Sequence, residues 1–176
     1  MSGWPQVGFI LQQILEPHGH LLLTDTGEDI SPHPDFRLVA TANTLGFGSD
    51  SGLYASGTRV LNFSWLDRWD VVVHIDFLPA DEEVRLLHSR YPAVKKDLLK
   101  CMVRAAGDLR KAHANEELTT VLTTRRLLAL CARLERGSDF SRALNVCVLN
   151  KVPSEDRKVI QETFEHHVGP IGHGKA

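Results

Sequence analysis

The sequence has only three cysteines, Cys101, Cys131 and Cys147, far apart and odd in number, with no C-x-x-C pair. That indicates neither a disulfide framework nor a zinc site, and points to free thiols in a reducing cytoplasm. The chain lacks an excess of one charge. Its 20 basic and 22 acidic residues leave a net charge of −2, so bulk charge argues for no nucleic acid or other polyanion as partner. No apolar run approaches the ~18 residues of a membrane span. The opening MSGWPQV has neither the basic nor the apolar region of a leader. A soluble, cytoplasmic protein without a membrane partner is expected. Two further absences bear on chemistry. There is no G-x4-G-K-S/T phosphate loop and no apolar run ending in Asp-Glu before Gly3. No Ser/His/Asp or Cys/His set argues for a side-chain nucleophile either.

What is present is an ordinary globular composition: 176 residues, 43% hydrophobic and 24% charged, enough for one domain or two small ones. Val7, Ile10, Leu11, Ile14 and Leu15 recur on one helical face behind Pro5, and Pro17 and Gly19 end that helix. HLLLT and EDIS flank Asp25-Thr26-Gly27, a hairpin signal spanning about 20–31. Pro32 and Pro34 lead into an apolar run, Phe36–Ala42, which predicts a buried strand. A glycine-rich loop, 43–57, and a short helix near Leu61–Leu66 follow. Trp69–Ile75, WDVVVHI, is apolar without alternation, as in a parallel strand covered on both faces.

After Pro79 the pattern becomes helical. ADEEVRLLHSRY, AVKKDLLKCMVRAAGDLRKA, RRLLALCARLER, FSRALNVCVLN and PSEDRKVIQETFEHHV each show helical spacing. Acidic residues crowd the start of the first and last, which suits the helix dipole. Gly169 is expected to stop the last helix. The expected division is an α/β piece over 1–78, an all-helical piece over 79–168 and a flexible tail over 169–176.

Three places carry a local cost that a structural role must explain. Asn43 ends the Phe36–Ala42 strand with a carboxamide. At the C-terminal end of a parallel strand such an amide can orient a water or a phosphoryl oxygen, or simply bond its own loop as an Asx-turn. Arg68 sits between Asp67 and the strand opening at Trp69. It either pairs with Asp67 or delivers a permanent charge to a neighbouring subunit's phosphate. Arg125 and Arg126 follow Thr123-Thr124 at a helix start, where each positive charge is disfavoured by about 0.3–1 kcal/mol. An anion at that helix end would remove the penalty; solvent-screened surface arginines are the alternative.

Other patterns carry less. GLYASGTR, Gly52 to Arg59, contains G-x4-G but continues with Thr58-Arg59 instead of Lys and a hydroxyl residue. His18-x-His20 and His74-x-Asp76 lack further ligands at metal spacing, and His166-His167 is a solvated helix end. Gly48-Ser-Asp-Ser-Gly52 misplaces its serine for a nucleophile elbow.

Taken in order, SPHPDFRLVATANTLGFGSDSGLYASGT, LDRWDVVVHIDFLP and LTTRRLLALCARL resemble the C-terminal half of an AAA+ ATPase. The likeness is to the ATPase subunits of aerobic cobaltochelatase, within the MoxR-like group, and runs over roughly 4–165. The resemblance implies an α/β fold: part of an AAA+ core lacking the P-loop strands, followed by an all-helical lid. It implies that Asn43 is sensor 1, that Arg68 is the arginine finger, and that Arg125 is the sensor 2 arginine. The family's Ser-Pro-Arg is here Thr123-Thr124-Arg125, which leaves Arg126 open for that role as well. ATP and Mg²⁺ are the implied cofactors. A hexamer-like homo-oligomeric ring and a large chelatase subunit are the implied partners, and Co²⁺ insertion into a corrin ring the implied task. A non-catalytic adaptor, or a MoxR-like chaperone for another metalloenzyme, is the alternative.

Family members carry both Walker motifs upstream of the point where this sequence begins. A truncated product, a split subunit and an incomplete gene model are the three expectations this raises. In each, the chain alone is expected not to hydrolyse ATP. The P-loop strand of the family would lie between Phe36–Ala42 and Trp69–Ile75. These two are therefore expected to expose unpaired edges, and the isolated chain to be poorly stable.

Overall fold

The computed structural model describes residues 12–42 and 66–172. The chain divides into two compact units, Met1–His74 and Ile75–Ala176.

In the first unit, residues 12–14 are helical and the chain then turns sharply, with Leu15 N–H donating to the Gln12 carbonyl at 3.1 Å and Gly19 N–H to Glu16 at 2.8 Å. Gly19 is required there: a Cβ would lie 2.3 Å from the Gln13 carbonyl oxygen. The hairpin forms as its sequence predicts. Strands β1 (Leu21–Leu23) and β2 (Glu28–Ile30) pair antiparallel, with Leu21 opposite Ile30 and Leu23 opposite Glu28. Gly27 closes the turn at φ 69°, a conformation glycine adopts without steric cost. Its N–H donates to the Leu23 carbonyl at 2.8 Å.

The two longer strands expected from the sequence are not formed among the described residues. Residues 36–42 and 71–79 carry no ladder, and the hairpin is the one sheet described. Their apolar side chains stand in solvent, Val73 at 71% and Ile75 at 86% exposure. The reason is intrinsic to strands: each backbone polar group must find its partner on another segment, and apolar faces must be covered from outside. No residue described in 12–42 or 66–74 is buried.

The second unit is helical. Helices α1 (Ala80–Arg90), α2 (Lys96–Ala114), α3 (Thr124–Glu135), α4 (Phe140–Cys147) and α5 (Ser154–Gly172) follow the five predicted segments. A 3₁₀ turn, Leu149–Lys151, links the last two. Helix α1 starts behind Pro79 with Asp81, Glu82 and Glu83 in its first turn, where the macrodipole favours carboxylates. Gly137, at φ 82°, ends the turn after α3, and the Asp139 carboxylate caps α4 by accepting from Arg142 N–H at 2.8 Å. The apolar stripes meet in one core that includes Leu87, Leu99, Met102, Leu109, Leu127, Leu130, Ile160 and Phe164. Helix α2 packs against both α1 and α5, and Phe164 meets the Phe140 ring with centroids 6.0 Å apart.

Helix α5 runs to Gly172, three residues past the expected stop at Gly169. Gly169 does not take a positive φ and a Cβ there would meet nothing within 4 Å. A glycine ends a helix only when it adopts the left-handed conformation, and this one does not.

Two polar anchors complete the unit. Asp156, in the first turn of α5, is 3% exposed and accepts from Thr119 Oγ1 at 2.7 Å and Thr120 N–H at 2.8 Å. Burial pushes this carboxyl up, but the hydrogen bonds from Thr120 and Thr119 outweigh it and hold its pKa below the ordinary value of 3.8. On α2, Asp108 meets His167 Nε2 of α5 at 2.8 Å.

Candidate functional site

The start of α3 is built on a buried ion pair. Glu83, from α1, has no exposed surface, and Arg110, from α2, grips both its oxygens: Nη1 to Oε2 and Nη2 to Oε1, each at 2.8 Å. This is the fork geometry that makes Arg–carboxylate pairs strong and directional. The third donor of the guanidinium, Nε, reaches the Leu122 carbonyl at 2.8 Å. Thr124, the first residue of α3, donates its hydroxyl to Glu83 Oε1 at 2.6 Å. Phe77 covers one face of the guanidinium, its ring centroid 3.9 Å from Arg110 Cζ, a cation–π contact. Three helices and the residue two before α3 are therefore tied to one carboxylate.

The network holds the two arginines at the helix start in different surroundings. Arg125 is exposed. Arg126 is half-buried, and burial pushes its pKa below the ordinary guanidinium value. Its Nη1 is shut off from solvent with no hydrogen-bond partner among the described residues, one of two such side-chain atoms with His88 Nδ1. A shielded, unsatisfied cationic donor costs free energy. The helix offers no relief of its own, since Thr123 makes no side-chain cap and the first turn holds no acidic residue.

Arg68 lies in the other unit. Its Nε donates to Glu16 Oε1, so its partner is Glu16 across 52 residues of sequence, in place of the adjacent Asp67 that sequence suggested. Both line an open cleft of about 700 Å³ with Leu15, Phe36, Trp69 and Val71. Asn43 lies outside the described residues, as do Gly48–Gly52 and the GLYASGTR stretch. Of the four sequence candidates, then, Arg125 and Arg126 stand side by side on one helix start and Arg68 belongs to a separate unit.

Sequence reading missed Glu83 and Arg110. Glu83 was counted among the dipole-complementing acids of α1. A signal was available, because it lies four residues before Leu87 and beside Val84, on the face that is buried. Arg110 likewise follows Val103 and Ala106 at i+7 and i+4 on the buried face of α2. A charge at each of two apolar stripes announces a buried pair.

Among the described residues no group of three or more His, Cys, Asp or Glu side chains could hold a metal ion, and no helix is long and apolar enough to cross a membrane.

Comparison with known proteins gives two kinds of likeness. Residues 83–169, the helical unit almost entire, match the family described as CbbQ/NirQ/NorQ C-terminal. The chain is 36% identical over 172 residues to aerobic cobaltochelatase subunit CobS from a Sinorhizobium species, a match covering 96% of this chain and 52% of that protein. The chain thus spans about half the length of this relative. It is also 34% identical over 80 residues to midasin from Dictyostelium discoideum, covering 46% of this chain and 1% of that protein.

Proposed function

We propose that the chain, which is similar to cobaltochelatase subunit CobS and matches the CbbQ/NirQ/NorQ C-terminal family over residues 83–169, works as the lid-bearing part of an ATP-dependent AAA+ chelatase assembly in cobalamin synthesis. Co²⁺ and a corrin ring are the substrates of that assembly. A ring of ATPase subunits and a large chelatase subunit are its partners. The observation that carries the reading is the 36% identity over 172 residues to cobaltochelatase subunit CobS; the Arg125–Arg126 pair at the start of α3 would supply the cation with which an AAA+ lid meets a nucleotide phosphate.

The arginines at the start of α3 are of the kind that meets the phosphates of ATP, and among the described residues no group of three or more His, Cys, Asp or Glu could hold a metal ion. ATP, when bound, supplies the free energy of phosphoryl transfer. Arg126, with Arg125 beside it, would neutralise phosphate charge from the lid. Arg68 would act toward an adjacent subunit, and to do so must exchange the Glu16 carboxylate for a phosphate oxygen. Asn43 would place the attacking water. Phosphoryl transfer depends on positioning and charge neutralisation, which suits one amide and a few guanidiniums with no side-chain nucleophile.

The test is to mix the purified chain with a complete cobaltochelatase ATPase subunit. The chain alone should show no ATP turnover above background; the mixture should co-elute and change its ATPase rate, and Arg68→Ala should cancel the change. No co-elution with an unaltered rate would remove the proposal. A second reading rests on the CbbQ/NirQ/NorQ match of residues 83–169: a MoxR-like chaperone or adaptor for a different metalloenzyme. Co-elution with the ATPase ring but no effect on cobalt insertion favours it.

A further inference from the structure

We infer that Glu16 is an internal competitor for Arg68: its carboxylate occupies the guanidinium in the chain alone, so an external anion engages Arg68 only by displacing it. The inference deepens the reading of Arg68 above and rests on it. Both side chains are presented by tight turns. Glu16 follows the helical residues 12–14, and its carbonyl accepts from Gly19 N–H at 2.8 Å, in a bend where a Cβ on residue 19 would lie 2.8 Å from that same oxygen. Arg68 lies inside the turn in which Trp69 N–H donates to the Leu66 carbonyl at 3.0 Å. These turns meet across 52 residues of sequence, where Arg68 Nε donates to Glu16 Oε1. The pair is partly withdrawn from water, its arginine and glutamate side chains 30% and 49% exposed, so solvent screens the contact incompletely. The lining of the cleft adds to the effect. It sets three carboxylates, Glu16, Asp67 and Asp70, against two guanidiniums, Arg37 and Arg68. Arg37 Nη1 is already engaged by the Pro34 and Phe36 carbonyls, at 3.1 and 2.7 Å. An approaching polyanion therefore meets no net attraction from this lining while Glu16 is charged and in place. A carboxylate and a phosphate oxygen ask for the same donors, which makes Glu16 the chain's own stand-in for the anion that Arg68 would meet.

Glu16→Gln isolates the charge, since it keeps the length of the side chain and an acceptor oxygen. The natural chain and its variants are titrated into a complete cobaltochelatase ATPase subunit, and the chain concentration that gives half of the change in ATPase rate is read. Glu16→Gln should lower that concentration about two- to fivefold, the span of a partly exposed ion pair. Arg68→Ala should cancel the rate change, and adding Glu16→Gln to it should restore nothing. An unchanged or raised half-point for Glu16→Gln, with Arg68→Ala still cancelling the rate change, overturns the competitor role and leaves the reading of Arg68 standing. A rate change that survives Arg68→Ala removes that reading and the inference with it. So does a rate that neither the natural chain nor Glu16→Gln alters. A second measurement needs no variant: Arg68 Hε of the natural chain should exchange with water more slowly than Hε of the exposed Arg136, followed by NMR. Equal rates show that the pair does not hold in solution and overturn the competitor role.

Discussion

The Val71–Val73 run and LLALC are both apolar stretches of one chain, yet Val73 is 71% exposed while Leu127 and Leu130 are fully buried. The difference lies in where each segment finds its hydrogen bonds. A helix satisfies its backbone within itself, so α1 to α5 need only bring their stripes together to close a core. An extended segment needs a ladder from another segment on each side and a layer over each face. Among the described residues of the first unit only the hairpin has such a partner. The helical unit is thus self-sufficient, and the described parts of the first unit contribute no buried residue.

The comparison can be broken most forcefully at the buried ion pair. Glu83→Ala leaves Arg110 charged and unpaired and should lower stability by about 3–5 kcal/mol, read from thermal unfolding by circular dichroism. Glu83→Leu with Arg110→Met should recover most of that loss, since a well-packed apolar pair replaces both charges. Close behind, Phe164→Ala should cost about 3–5 kcal/mol through the cavity it opens. Val73→Ala should stay within about 0.5 kcal/mol, and a comparable loss there would mean that the extended segment does have a core of its own.

Asp156→Asn should cost about 1–3 kcal/mol by weakening its bonds to Thr119 and Thr120. Because the folded state holds this carboxyl below 3.8, its contribution is full above that value and is lost as pH falls through the lower folded pKa. Acid titration of the natural protein and of Asp156→Asn should therefore converge at low pH. Smaller still, Glu16→Gln should change stability by about 0–1 kcal/mol, as for exposed pairs generally, with Arg68 and Glu16 side chains 30% and 49% exposed. Finally, burial pushes the Cys131 thiol up to about 12, so at neutral pH a thiol reagent should modify the half-buried Cys101 first and Cys131 only on unfolding.

How much of this was legible follows the same division. The five helices and the hairpin were written in periodicity, in Gly27 and in the acidic first turns, because those signals are local. The expected strands failed for the complementary reason: an apolar run specifies that a segment seeks cover, and its partners are other segments. At the site, the Thr-Thr-Arg-Arg string marked the helix start correctly. The sequence could not say that this helix start is tied to a buried ion pair, because Glu83 and Arg110 lie 41 and 14 positions before Thr124. A tie across such distances leaves a trace only as charge on an apolar face.

Native-state hydrogen exchange of the full chain, alone and with a complete cobaltochelatase ATPase subunit, tests the account most directly. Amides across 84–168 should be protected in both samples. Those of 71–78 should exchange almost freely in the chain alone and become protected when the second protein is added. Protection of 71–78 in the isolated chain, or its persistent absence in the mixture, would contradict the claim that the helical unit stands by itself while the segment before it is completed from outside.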